Sequence, residues 1–217
     1  PVWDYNWASY HVGGGATGNL RWRSNQIWYP RLFADPDFFQ LYIDRWFAFR
    51  RGAMSNANMD AIINAQGAEI TGAKAMLNGI ASAAEFTNQL NAMKTWLRQR
   101  GDWVDSQYIR PPVFSVAGGI VASGQQVTIT APAGTIYRTL DGSDPRLPGG
   151  AIAAAASVGN TVTISADTKI TARVNGTPQW SAQTAGVYVT DAVAAGAANL
   201  AVSEIHYHPA APAAAEI

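Results

Sequence analysis

The sequence predicts an α+β fold, in which an α-helical N-terminal region is followed by an antiparallel β-sandwich. Before Pro111-Pro112, apolar residues recur every three or four positions, which is the spacing of one face of a helix. After this proline pair, short runs alternate apolar and polar residues, which is typical of half-buried strands. We therefore expect a helical domain over residues 1–112, a sandwich over 113–190, and a linker with the first strand of a further domain over 191–217.

The clearest helix is predicted over residues 35–51. Asp35 is a favourable N-cap, and Pro36 occupies the first helical position, where its missing N–H costs nothing. Asp37 places a negative charge in the first turn, where the helix dipole stabilises it. Gly52 is suited to end the helix. The apolar positions form a wide arc, so we expect this helix to be buried on most sides.

Two further helices are predicted before the proline pair. One begins at Ser55 and continues, or restarts after Gly67, as far as Leu77. The other begins at a capping box that starts at Ser82, and it is expected to end at Gly101. Its apolar residues have helical spacing and favour a stripe that faces the core over a groove for a partner. These residues are Phe86, Leu90, Met93 and Leu97.

Short strands separated by turn signals are predicted after the proline pair, and this spacing favours an antiparallel sandwich. The Ala-rich tract 151–156 is expected to be a loop or a weak edge, and residues 192–198 a linker. A further strand is expected to begin at Leu200. The five predicted sandwich strands cover residues 126–130, 135–140, 161–164, 169–174 and 186–189.

The composition excludes several classes of protein. Among 217 residues, charged residues make up only 14% and the formal net charge is zero, so no basic surface for nucleic acid is expected. The absence of cysteine excludes disulfides and cysteine metal sites. No apolar stretch is long enough to span a membrane. A surface with few charges suits an extracellular or periplasmic protein.

Three motifs match binding sites by letter, and a plainer interpretation is favoured for each. The run Gly13–Gly18 fits G-x-G-x-x-G, but no strand precedes it, so a flexible loop is favoured. Glu204, His206 and His208 would share one face of a strand, but no fourth metal ligand is evident. The acidic run 141–144 could offer oxygens to Ca²⁺, yet it lacks the spacing of a calcium loop and favours a tight turn.

The most informative run is Trp3-Asp4-Tyr5-Asn6-Trp7. Bulky aromatic neighbours place Asp4 in a partly dry environment, where a carboxylate needs a cation or hydrogen bonds to remain charged. Asn6 adds a second oxygen, and such oxygens bind Mg²⁺ alongside nucleotide phosphates. By composition alone, a role for Asp4 in capping a turn is favoured over metal binding.

Together with two later features, this run resembles the last third of the CotH-type kinase family, which comprises exported bacterial proteins with an atypical kinase fold. The later features are the Gly-rich loop and the run Arg31-Leu32-Phe33-Ala34-Asp35-Pro36-Asp37-Phe38, which opens a helix. In that family a W-D-x-D-like run carries the metal-binding Asp, which implies this role for Asp4. Asn6 stands where a second Asp is commoner. Residues 96–100 are similar to the closing helix of the family.

Two resemblances concern the C-terminal half. The run Gly134-Thr135-Ile136-Tyr137-Arg138-Thr139-Leu140-Asp141-Gly142-Ser143-Asp144-Pro145 closely resembles the β-sandwich module at the C-terminus of chitobiases and β-hexosaminidases, and Trp180-Ser181 fits the end of that module. The module carries no catalytic residues, so it does not imply a glycosidase. Residues 200–209 resemble the first strand of a bacterial lamin-tail-like immunoglobulin domain.

These resemblances imply two functional hypotheses, both for a bacterial protein that is secreted or held at the cell surface. In the first, the chain is a fragment of a CotH-like protein kinase that uses Mg²⁺ and ATP on a protein substrate. The catalytic base and the phosphate-contacting Lys or Arg cannot be assigned here and are expected upstream of Pro1, so the chain alone is expected to be inactive. In the second, a non-catalytic structural or adhesion protein uses its β modules to space domains or, through aromatics such as Trp180, to bind a cell-surface carbohydrate.

Overall fold

The computed structural model describes residues 15–18, 27–70, 79–193 and 195–201. Within these ranges α-helices precede β-strands, and the change between them falls at the proline pair, which confirms the α+β prediction. None of the helices in the described ranges is long and apolar enough to cross a membrane. The helices are α1 (Tyr29–Ala34), α2 (Pro36–Arg51), α3 (Asn56–Glu69) and α4 (Ala83–Ser106).

Helix α2 begins and ends as predicted. The Asp35 carboxylate accepts the backbone N–H groups of Asp37 at 2.8 Å and Phe38 at 3.1 Å, and Gly52 follows the last residue. The prediction that α2 is buried on most sides was wrong, because only the face that carries Gln40, Ile43 and Phe47 is buried. Leu41 and Phe49 remain about half exposed on the other faces. Helix α2 therefore packs against the rest of the protein mainly through one face.

Helices α3 and α4 begin at the predicted caps. The Ser55 hydroxyl accepts the N–H of Asn58, and the Ser82 hydroxyl accepts the N–H of Glu85. Helix α3 continues through Gly67, and a Cβ atom added there would lie 2.6 Å from Leu90 Cδ1. The apolar stripe of α4 thus packs against α3, although its side chains are only half-buried.

The predicted end of α4 at Gly101 was wrong, since the helix continues to Ser106. A Cβ atom added to Gly101 would lie 2.9 Å from the Arg50 guanidinium carbon. Glycine at this position therefore leaves room for the Arg50 side chain of α2, and it does not end the helix.

The strands form two packed sheets. One has three strands in the order β1-β3-β6, and the other has five in the order β2-β8-β7-β4-β5. Neighbours pair antiparallel, except β2 and β8, which are parallel. The strands are β1 (Val113–Phe114), β2 (Gly119–Val121), β3 (Gln125–Thr130), β4 (Thr135–Thr139), β5 (Ser157–Val158), β6 (Thr161–Ile164), β7 (Thr168–Asn175) and β8 (Thr184–Thr190).

Alternating side chains from both sheets fill one core, which confirms the predicted sandwich. Val127, Ile129 and Ile164 come from the smaller sheet, and Ile170 and Tyr188 come from the larger one. All five predicted strands are present. Strands β1, β2 and β5 were not predicted because runs of two or three residues are too short to show alternation. The predicted domain bounds themselves stay a prediction.

A second hydrophobic cluster joins the helices to the sandwich. Ile43 and Phe47 of α2 pack with Val104 of α4 and with Tyr108, which follows that helix. Ala182, in the segment that precedes β8, is fully buried in the same cluster. The segment between β7 and β8 is therefore part of the core of the helical region, and α2 lies where the two halves meet.

Candidate functional site

Charged side chains line the contact between α2 and the sandwich. We name this cluster the docking seam, and it consists of Asp37 and Asp44 of α2 together with Asp144, Arg146 and Arg173 of the β half. The two carboxylates of α2 lie seven positions apart, so they share one side of the helix, two turns from each other.

Arg173 is the centre of the docking seam. It lies in the middle of β7, and its side chain is 3% exposed. Its Nε and Nη2 donate to the two oxygens of Asp144, each at 2.7 Å, which is a bidentate pair. Its Nη1 and Nη2 also donate to the two oxygens of Asp44 at 2.7 and 3.0 Å. Burial alone would lower the pKa of Arg173, but the hydrogen bonds to Asp144 and Asp44 outweigh it and raise the pKa above its usual value.

Asp44 receives donors from both halves of the protein. In addition to Arg173, its Oδ1 accepts the backbone N–H of Gln183 at 3.2 Å and the Nε2 of Gln40 at 3.3 Å. The buried Gln40 also donates to the carbonyl of Ser181 at 3.0 Å. One turn of α2 therefore provides hydrogen-bond partners for the Ser181 carbonyl and the Gln183 N–H of the segment before β8. Buried polar groups require such partners.

Asp37 forms the second contact of the docking seam, at the start of α2. Both of its oxygens accept the backbone N–H of Gly149 at 2.9 Å, and Arg146 Nη2 lies 2.6 Å from Oδ1. Gly149 begins a left-handed turn with a φ of 76°, which favours glycine. The Gly149 N–H and the Arg146 guanidinium hold the pKa of Asp37 below its usual value of 3.8. Asp37 therefore binds the sandwich as well as stabilising the first turn of its own helix.

A separate cluster of charges ties the end of α2 to α4. Arg50 Nε donates to both oxygens of Asp105 at 3.2 Å, and its Nη2 lies 2.9 Å from Asp102. The indole Nε1 of Trp46 donates to Asp105 at 2.7 Å. The side chain of Asp105 is 6% exposed, so these donors offset the cost of burying its charge.

An open cleft of about 690 Å³ lies beside the proline pair, between the end of α2 and the sandwich. We name it the junction cleft. Its walls are mostly apolar, and the charged groups at its edge are Arg50, Arg51, Asp105 and Arg110. Its volume lies within the range of about 300–1,000 Å³ that is usual for ligand sites.

The residues predicted to bind metal, Asp4 and Asn6, lie outside the described residues. Glu204, His206 and His208 also lie outside them. In the part of the chain that the structure describes, no group of three or more acidic or histidine side chains could hold a metal ion. The metal-binding prediction for Asp4 therefore stays a prediction.

The other singled-out motifs have structural roles where they are described. The Asp141 carboxylate accepts the N–H and hydroxyl of Ser143 at 2.9 and 2.6 Å, and Asp144 pairs with Arg173, so both carboxylates of the run are used within the protein. Trp180 is 3% exposed, and its Nε1 donates to the carbonyl of Gly150. Of the Gly-rich loop, residues 15–18 are described, and residues 16–18 form bends, which suits a loop.

The docking seam was not predicted from the sequence. Arg173 was a detectable signal, since this charged residue stands between Ala172 and Val174 in a predicted strand, where burial requires a partner. Its partners could not be found in the same way. Asp44 is 129 positions away and occupies an ordinary polar position of an amphipathic helix.

Comparison with known proteins finds a similarity for the helical half. Residues 1–104 match the family model described as "CotH kinase protein", just under half of the 217 residues. No curated protein and no solved structure matches the chain. The match ends within α4, two residues before Ser106, so the sandwich lies beyond it. The helical half of this chain is therefore similar to the CotH kinase protein family, and its α2 helix binds a β-sandwich that the family model does not include.

Proposed function

We propose that this chain is part of a secreted bacterial CotH-like protein kinase, in which Asp4 binds the Mg²⁺ ion that accompanies ATP. The observation that carries this proposal is the family match over residues 1–104, which includes both the Trp3–Asn6 run and the helix opening at Asp35-Pro36. The side-chain bonds that cap α2 at Asp35 supply a physical reason for that second run. Its Asp37 has a further use, because it binds the sandwich.

The proposed metal chemistry depends on Asp4 and Asn6, since the described ranges contain no alternative cluster of acidic side chains. In phosphoryl transfer, Mg²⁺ neutralises charge on the phosphates of ATP. The same reaction requires a base for the attacking hydroxyl and a cation on the phosphates. No residue of this chain is assigned to either role, so we expect the 217-residue chain alone to lack kinase activity.

We further propose that the sandwich is a chitobiase-C-terminal-like module and that residues 191–217 begin a lamin-tail-like domain. In this arrangement the sandwich is a scaffold for the kinase-like region. The docking seam supports this role, because Arg173 and Arg146 bind carboxylates of the same helix, α2. Trp180 is buried, so its ring is not available to stack on a sugar.

The test is transfer of radiolabelled phosphate from ATP to protein by the full-length gene product. We expect Mg²⁺-dependent labelling that Asp4→Asn reduces by about 10²-fold or more, because charge stabilisation of the transferring phosphate is lost. Asp102→Asn is the matched control, since the Asp102 side chain is 61% exposed and pairs with Arg50, and this change should leave labelling unchanged. Equal labelling by the wild type and Asp4→Asn would contradict the assignment of Asp4.

The second candidate function is a non-catalytic surface protein whose β modules hold other domains apart. The docking seam again favours this function. A sandwich that is fixed to a helix holds neighbouring domains at a set distance better than a sandwich on a mobile linker does. This alternative predicts no Mg²⁺-dependent labelling by the full-length protein. A glycan array with the whole chain then separates carbohydrate adhesion, which gives binding, from a spacer, which gives none.

A further inference from the structure

We propose that the junction cleft binds an extended peptide segment that carries both apolar and acidic side chains. This site goes beyond the proposed kinase function, since the cleft lies at the sandwich and is lined largely by residues after position 104. The edge strand beside the cleft, its apolar lining and its unequal charges each support one part of this inference.

The cleft offers an apolar surface beside an edge strand. Phe47, Phe114 and the prolines at 111, 112 and 132 form much of its lining. Strand β1 lines the cleft, and it is an edge of the three-stranded sheet. Its Val113 is 64% exposed. Extended peptides commonly bind beside exposed edge strands, where their alternate side chains enter apolar pockets.

The charges at the cleft edge are not balanced. The hydrogen bonds of Arg50 go to Asp105, Asp102, Asn56 and the carbonyl of Met54, so its guanidinium is not available to bind a ligand.

Arg51 and Arg110 are the remaining cations. Within the described residues, Arg51 forms no ion pair within 4 Å, and its Nη2 donates to the carbonyl of Gln183. Partial burial lowers the pKa of Arg51, with Asp44 opposing that effect from a distance. The Arg110 side chain is 51% exposed, and the one ion pair that it forms among the described residues, with Asp105, is long at 3.6 Å. An acidic ligand would give Arg51 a carboxylate partner and would give Arg110 a closer one than Asp105.

The same features disfavour a nucleic acid. Two arginines at the edge of an apolar cleft are too few for a phosphate backbone, and the chain has a net charge of zero. An apolar peptide with a few carboxylates matches both the apolar walls and the two arginines. Burial of its apolar side chains supplies affinity, and its charges set the position of the peptide along the cleft.

The probe is a short fluorescein-labelled peptide of alternating leucine and glutamate, and its binding to the whole chain is measured by fluorescence anisotropy. The comparison peptide has lysine in place of glutamate. We expect the wild type to bind the acidic peptide and not the basic one. Arg51→Ala combined with Arg110→Ala should weaken binding by about tenfold or more, since each charge-assisted contact is stronger than a neutral one.

Two further variants sharpen the test. Arg45→Ala removes an exposed arginine of the same helix outside the cleft and should leave affinity unchanged. Ala185→Trp places a large ring at an exposed cleft position and should abolish binding. Unfolding midpoints that match the wild type show that each variant is folded.

Three results would overturn the proposal. One is no binding of the acidic peptide at millimolar concentration, and another is equal affinity for the acidic and basic peptides or for the double variant and Arg45→Ala. The third is a concentration-dependent dimer in sedimentation that Ala185→Trp removes, because the cleft would then bind a second copy of this chain.

Discussion

Replacing Arg173 tests whether the docking seam holds the two halves together. In Arg173→Ala, Asp44 and Asp144 lose their shared cation and are left close to each other. At an effective dielectric of about 20, two charges about 3 Å apart attract by roughly 5–6 kcal/mol, and desolvation cancels part of this. Removing one partner of a buried pair costs about 3–5 kcal/mol. We expect a value at the lower end, because the side chains of Asp44 and Asp144 are 23% and 38% exposed and can regain water.

Urea unfolding at neutral pH, followed by tryptophan fluorescence, measures this loss without adding salt. Asp44→Ala should cost less than Arg173→Ala, about 1–2 kcal/mol, because Arg173 keeps its bidentate pair with Asp144. Arg45→Ala is the control, since an exposed arginine away from the docking seam should change stability by no more than about 0.5 kcal/mol. A loss below about 1 kcal/mol in Arg173→Ala would refute the reasoning.

Three other changes have expected outcomes. The pKa of Asp37 is lowered in the folded protein, so its contribution to stability is present above the ordinary value of 3.8 and is lost as pH falls below it. In urea unfolding from pH 7 to 3, the free energy of unfolding should therefore fall less steeply for Asp37→Asn than for the wild type, and identical slopes would contradict this. Gly101→Ala should destabilise by about 1–2 kcal/mol despite better helix propensity, because Arg50 is fixed by its partners; a stabilised variant in the same assay would contradict this. Leu90→Ala should cost about 2 kcal/mol, at the low end for a leucine, because this side chain is half-buried; a thermal midpoint unchanged from the wild type would argue against its packing on Gly67.

The starts of α2, α3 and α4 were predictable because capping is local chemistry. Asp35, Ser55 and Ser82 each accept a backbone N–H within three residues of themselves. The end of α4 was not predictable, since Gly101 looks like a terminator until Arg50 is placed against it. A glycine required by a close approach and a glycine that ends a helix are identical in sequence.

The five longer sandwich strands were predictable for the same reason as these helix starts, because side-chain alternation is a local pattern. The parallel pair of β2 and β8 was not, since a strand of three residues carries no period. The docking seam was beyond reach because Asp44 and Arg173 are distant in sequence. The site that sequence did single out, at Asp4 and Asn6, lies outside the described residues, and the family match over residues 1–104 is what supports it.

The most direct test of the central structural claim, that the sandwich and α2 are one cooperative unit, is native-state hydrogen exchange of the whole chain. Ile43 and Phe47 of α2 and the residues of β7 from Ile170 to Val174 are all buried, so exchange of their amides reports on each half separately. We expect both groups to exchange with one common free energy of opening, and Asp44→Ala to lower both by the same amount. Exchange of α2 at a clearly lower free energy, with β7 unaffected by Asp44→Ala, would contradict the claim and show that the two halves open independently.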